Sequence, residues 1–317
     1  MRIGEHLCNS RGVTTPFVID ANLDIEARWA GGSLPAAIAT RVSYYASLVA
    51  ALAPEGADVE LWAPAPIDAS RLVAFDGWRP PTMRAGTPPR ADLRWADPDA
   101  KPANDRRLAH EVARSIGAGL PGARVIATVD EIDALADLGA WVAKAPWTTA
   151  GRDRCHGNGP PTTEQRTRLT RLIERFGAIV VEPWLERTRD VGVCATIDAN
   201  GNYTAYLPHL LTTDARGTFL GIDMRCELHE PALDRAVRAA ARALRAAHYA
   251  GPFSVDAFAH TTGFHPLCEI NARYTFGWIA RALHLRLGIR RLGFSTPPPG
   301  ARILVAPGGD GITAWVD

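Results

Sequence analysis

Asp256, Glu269 and Asn271 are the residues in this 317-residue chain whose types and spacing most directly suggest chemistry. Glu269 and Asn271 are two apart in His265–Asn271, a strand-like run, so a period of two places them on one face. Asp256 lies in the preceding strand-like run, Phe253–Ala259. A hairpin turning symmetrically about Thr262-Gly263 sets Asp256 opposite Glu269, with Cβ atoms about 5 Å apart. Two carboxylates that close repel unless a positive group lies between them. Hard oxygen donors of this kind suit Mg²⁺ (or Mn²⁺), which keeps waters and takes substrate phosphates as further ligands. From the hairpin alone, carboxylates that face solvent or pair with arginine remain an alternative. The apolar neighbours Phe253, Val255, Phe258, Leu267 and Ile270 argue against a free surface hairpin. A one-residue slip would send Asp256 to the other face.

A second candidate site surrounds Lys144. The basic residues are almost all arginine, and the only lysines are Lys101 and Lys144. Lys144 ends the apolar run Trp141–Lys144, where an ammonium needs an anion, and it is a compact partner for phosphate oxygens. The segment after it, Ala145–Gly159, has loop chemistry throughout. Thr148, Thr149, Gly151, Arg152 and Arg154 could cradle phosphates, and Trp147–Gly159 is expected to act as a lid. A surface loop with Lys144 reaching out of a strand end is the plainer alternative. The chain has neither the Walker pattern nor a GxGxxG after a strand. A third candidate is the end of the buried run Ala178–Glu182. The strand end could present a backbone C=O and N–H to an adenine edge, Trp184 and Leu185 could wall it, and Asp190 could accept from ribose hydroxyls. Alone this signal is weak, because Glu182 could equally be a surface charge.

These residues need elements to hold them. Ala36–Leu52 reads as a helix and Val59–Trp62 as a strand, whereas the proline-rich stretch from Pro80 to Pro102 reads as an extended linker. A helix capped by Asn104 carries Leu108 and Val112, and Gly117 ends it. Thr128 with Glu131 reads as a capping box opening a short helix. Thr162 with Gln165 opens a longer one, with Leu169, Leu172, Ile173 and Phe176 inward and Gly177 as its stop. Gly192–Ile197 and Tyr203–Leu207 flank a turn sequence. Pro231 opens a helix running to about His248. Pro297–Pro299 sets off a short tail.

Composition removes several classes. Net charge is +1, which favours neither nucleic acid nor an anionic membrane. The apolar-leaning Val42–Ala53 is too short to span a bilayer. The start lacks a signal-like apolar region, and the five cysteines form no CxxC pair, so a cytoplasmic protein is expected.

Taken in order, NDRRLAHEVA, WVAKAPWTTAGRDR, VVEPWLERTRD, FSVDAFA and CEINARYTFG resemble the ATP-grasp superfamily, over about Asn104 to Ala282. The resemblance implies an α/β chain whose lobes grip ATP, an ATP-grasp fold with an N-terminal α/β domain. The implied division is 1–102, then 103–290 for nucleotide binding and catalysis, then a tail, 291–317. It implies ATP contacts from Arg106, Lys144, Thr149, Gly151, Arg152, Glu182, Trp184, Leu185 and Asp190, and metal ligation by Asp256, Glu269 and Asn271. Arg273, with Lys144, would act on the transferred phosphate. Arg106 stands where the family carries its first lysine, with Lys101 as rival. Ser254 stands where several amino-acid ligases carry a basic residue. The implied activity is an ADP-forming ligase acting on small-molecule carboxylate and amine substrates, with a homodimer compatible. A small-molecule kinase and a non-catalytic nucleotide-binding protein are the alternatives.

Overall fold

The structure is a computed structural model that describes residues 15–148, 153–214 and 218–317. The first sheet is parallel, with β1 (Phe17–Asp20), β2 (Val59–Ala63), β3 (Thr82–Ala85) and β4 (Leu93–Arg94) in the order β3-β2-β1-β4. Helices α1 (Ile25–Trp29) and α2 (Ala36–Ala46) follow β1, and a 3-10 stretch carries the chain on to Leu52. The proline-rich segment is therefore not a linker. Proline favours extended backbone, and the residues between the prolines join the sheet as β3 and β4, burying Trp95 and Ala96.

Helix α3 (Arg106–Ser115) is capped by Asp105, which accepts from the Arg107 amide. Asn104 instead ties its side chain to the backbones of Ala100 and Ala272. A small antiparallel sheet follows, with β5 (Arg124–Ile126), β6 (Ala140–Lys144), β7 (Arg154–Asn158) and β8 (Ile179–Pro183) in the order β5-β8-β6-β7. Between β5 and β6, Asp130–Leu138 is a 3-10 stretch, with the Glu131 carboxylate accepting from the Ala127 and Thr128 amides. The expected loop Ala145–Gly159 is corrected in its second half, because Arg154–Asn158 pairs along all of β6 as β7. Helix α4 (Thr163–Phe176) packs beneath. Thr162 and Gln165 cap it reciprocally, and Gly177 ends it at φ 76°, where a side chain would be strained.

The remaining strands form a nine-stranded sheet among the described residues. They are β9 (Arg187–Ile197), β10 (Tyr203–Ala205), β11 (His209–Thr213), β12 (Phe219–Asp223), β13 (Gly251–His260), β14 (Gly263–Asn271), β15 (Arg291–Gly293), β16 (Arg302–Val305) and β17 (Ala314–Val316). The order is β14-β13-β9-β11-β12-β15-β17-β16, with β10 on β9. Residues after 290 are thus sheet strands rather than a tail. Helix α5 (Pro231–Ala246) lays Leu233, Val237, Ala240 and Leu244 against β9, β13 and β14, and α6 (Phe276–Leu287) packs on β9 and β12. One continuous core joins the first sheet to the large one, and a smaller core lies under the small sheet.

Candidate active site

Alternation along β13 separates two faces. Phe253, Val255 and Ala257 are buried with α5 in the core, so Ser254, Asp256 and Phe258 point to the other face. Asp256 pairs directly with Glu269, and Ser254 with Asn271. The expected register is present, but for a different reason. The hairpin turns at Thr261-Thr262, with His260 opposite Gly263, and that turn alone would put Leu267 opposite Asp256. A bulge corrects it, since Pro266, Leu267 and Cys268 together stand opposite Ala257. Pro266 has no N–H to give to a ladder, which favours an irregularity there.

The two carboxylates differ sharply. Burial, and then the charge of Glu269, push Asp256 up to about 7. Burial also works against Glu269, but Arg106, Arg154, Lys144 and Arg273 outweigh it and hold Glu269 at about 2. The Asn271 amide donates to Asp256 (3.1 Å), and its oxygen accepts from Arg273 (2.9 Å). Turning that amide over, which hardly changes its shape, exchanges the two. A crowded carboxylate pair beside an amide oxygen fits a hard divalent cation. Among the described residues no group of three or more His, Cys, Asp or Glu gathers as a metal site, so the candidate donor set is two carboxylates and one amide.

Arg106, at the start of α3, donates to Glu269 (2.9 Å) and to Ala145 O and Thr148 Oγ1 (both 2.8 Å). It therefore ties the carboxylate pair to the segment after Lys144. Lys101 lies instead over the Trp147 ring at 4.5 Å. Arg273 makes a half-buried ion pair with Glu26 (2.7 Å), which joins the first sheet's lobe to the site. Lys144 is buried against Glu182, and Cys268 Sγ lies 3.8 Å from its Nζ. Burial opposes both charges, yet Cys268 and Glu182 hold Lys144 above its usual range, and Lys144 holds Glu182 below its own. No hydrogen bond engages the Leu185 N–H among the described residues. Trp184 stands edge-on to His156. Asp190 accepts from Arg187 (2.9 Å) and Thr213 (3.2 Å). Thr149, Gly151 and Arg152 lie outside the described residues.

Three residues were missed. Arg187 spreads over Phe258 (4.1 Å) and Trp184 (5.5 Å) while pairing with Asp190. His265 is buried opposite Phe258, its Nδ1 without a partner. His209 continues the row Glu269–Asp256–Gly192 onto β11, and its ring is wedged between Gly192 and Gly277. Neighbours in that row are far apart in sequence, so no local spacing announces them. Cys155, inside the stretch read as a loop, is buried in the smaller core.

No protein-family model and no curated protein matches the chain. Solved structures do. N5-carboxyaminoimidazole synthetase from Staphylococcus aureus is 11% identical with a TM-score of 0.56, covering 94% of this chain and 92% of that one. Biotin carboxylase from Campylobacter jejuni gives 12% and 0.57, covering 94% and 86%. The biotin carboxylase domain of Hydrogenobacter thermophilus 2-oxoglutarate carboxylase, solved with MgADP, ADP and bicarbonate, gives 12% and 0.55, covering 94% and 85%. The chain has the ATP-grasp fold. At such identity the likeness extends to the fold alone. On this ATP-grasp scaffold the small sheet brings Lys144 and Glu182, and the large sheet brings Asp190, Asp256, Glu269 and Asn271, to one region.

Proposed function

We propose that this protein is an ADP-forming ligase that uses ATP to activate a carboxylate as an acyl phosphate and joins it to an amine. The observation that carries it is the pairing of Asp256 with Glu269 on one face, with Asn271 and Arg273 bonded beside them. The relatives in fold support it, one having been solved with MgADP and bicarbonate. Asp256, Glu269 and Asn271 would hold Mg²⁺ (or Mn²⁺), which when bound would neutralise phosphate charge.

Glu182 and the Leu185 backbone receive the adenine edge, and Asp190 receives the ribose. Lys144, Arg106 and Arg273 hold the phosphates and spread the charge of the group in transfer. The substrate carboxylate attacks the γ-phosphorus in line, and ADP leaves. The amine then attacks the acyl carbon, loses a proton, and expels phosphate. Positioning and electrostatics supply the rate, so no protein nucleophile is needed. Among the described residues no helix is long and apolar enough to cross a membrane.

An ADP-release screen of small acids and amines, singly and in pairs, tests this. The expected result is ADP formation that needs both partners, with an amide as product. A stable phosphorylated product formed without amine would make the protein a kinase and end the ligase assignment.

A further inference from the structure

The catalytic face has a direction. Phe258, Asp256, Ser254 and Pro252 share it along β13, spaced about 6.7 Å per step of two residues. On β9 they oppose Asp190, Gly192, Cys194 and Thr196. Asp190, Arg187 and Trp184 gather at the Phe258 end. In-line transfer requires the attacking oxygen on the side of the γ-phosphate away from the leaving ADP. On this face that is the side of Ser254 and Pro252.

Two features stand there. Ser254 is 2% exposed, and its Oγ has no hydrogen-bond partner, which is rare for a buried hydroxyl. Further along, Pro252 and Arg273 form one wall of a cavity of about 220 Å³ that Arg94, Trp95, Asp97 and Tyr249 help close. That volume lies below the roughly 300–1,000 Å³ usual for drug-sized ligands, so the occupant is small. The walls offer both signs of charge and two aromatic faces. Asp97 uses one oxygen to cap the turn at Asp99, and its second oxygen makes no bond among the described residues.

We propose that this cavity is the subsite of the acid that becomes activated, and that it takes a zwitterion of amino-acid size, with its reactive carboxylate toward Ser254 and Arg273 and its ammonium toward Asp97. The chemical step rests on the ligase reading; the binding does not.

Saturation-transfer NMR on the full chain with MgADP, using the twenty standard amino acids, with propionate and succinate as acids lacking an ammonium, tests the binding directly. At least one amino acid should bind, and neither control acid should. Ala250→Trp, which fills the cavity from an exposed position, and Ser254→Ala should each weaken that binding about tenfold or more. ADP affinity, measured alongside, reports whether each variant folds. The subsite falls if no amino acid binds the wild type, or if binding survives unchanged in both folded variants. Amino-acid binding without amine-dependent ADP release would sustain the subsite and overturn only the ligase reading.

Discussion

At the scale of single residues, charges decide the site. Glu269→Gln preserves shape but removes one negative charge from the carboxylate pair. Turnover should fall by roughly a hundredfold or more, the scale of losing a key electrostatic group. ATP should still bind through Lys144 and the strand end at Glu182–Leu185, as calorimetry would show. Lys144 itself needs a paired design. Lys144→Ala leaves Glu182 buried and uncompensated, a loss of about 3–5 kcal/mol. Lys144→Met with Glu182→Gln removes both charges, so it should keep the fold and lose ATP affinity; unchanged affinity would end the assignment. Two buried histidines make stability sensitive to acid. Burial lowers His209 from 6.5 to about 4 and pushes His265 down to about 4. Between those values each of these two histidines binds more protons in the unfolded chain, so the stability they contribute above pH 6.5 is lost as pH falls toward 4, whereas Asp256, raised to about 7, contributes in the opposite direction over the same range. For His209 that amounts to about 3 kcal/mol. Urea titrations from pH 7 to pH 4 should show the stability of His209→Gln rising relative to that of the wild type as pH falls.

At the scale of elements, the decisive contacts are close approaches. A Cβ on Gly192 would sit 2.4 Å from His209 Nε2, and one on Gly277 would sit 2.5 Å from it. The two glycines thus let an imidazole key the first turn of α6 onto β9. Gly192→Ala should cost about 1–3 kcal/mol in denaturant unfolding. His209→Ala in the same chain should recover part of that loss, and simple additivity would show that the wedge does not exist. The hairpin teaches a related lesson. Period two correctly put Glu269 and Asn271 on one face, because alternation is local. The turn at Thr261-Thr262 and the bulge at Pro266 depend on how β14 meets its neighbours, and two departures from the simple hairpin cancelled at Asp256. Thr162, Gln165 and Gly177 were legible for the same local reason. β7 was not, since Arg154–Asn158 lacks alternation and is a strand only because β6 lies beside it.

At the scale of the whole molecule, the core ignores the proline-rich boundary. Ile19, Leu61 and Trp95 belong to the same core as Phe253, Leu304 and Val316. A chain ending at residue 290 would lose β15, β16 and β17 and leave β12 as a raw edge. It should be insoluble or lack a cooperative thermal transition. A soluble truncation that melts like the full chain would restore the view of 291–317 as a tail.

The sequence alone determined what depends on near neighbours in the chain: helix caps, strand alternation, the carboxylate spacing and the order of motifs that marked the ATP-grasp resemblance. Tertiary structure decided what depends on contacts between distant segments. It moved the proline-rich stretch and the last 27 residues, 291–317, into sheets. It set Arg106 on Glu269 across 163 positions and Glu26 on Arg273 across 247. It also carried His209 into the row of Asp256. Side-chain direction and cross-strand pairing arise only when strands meet, and no spacing along a single segment encodes them.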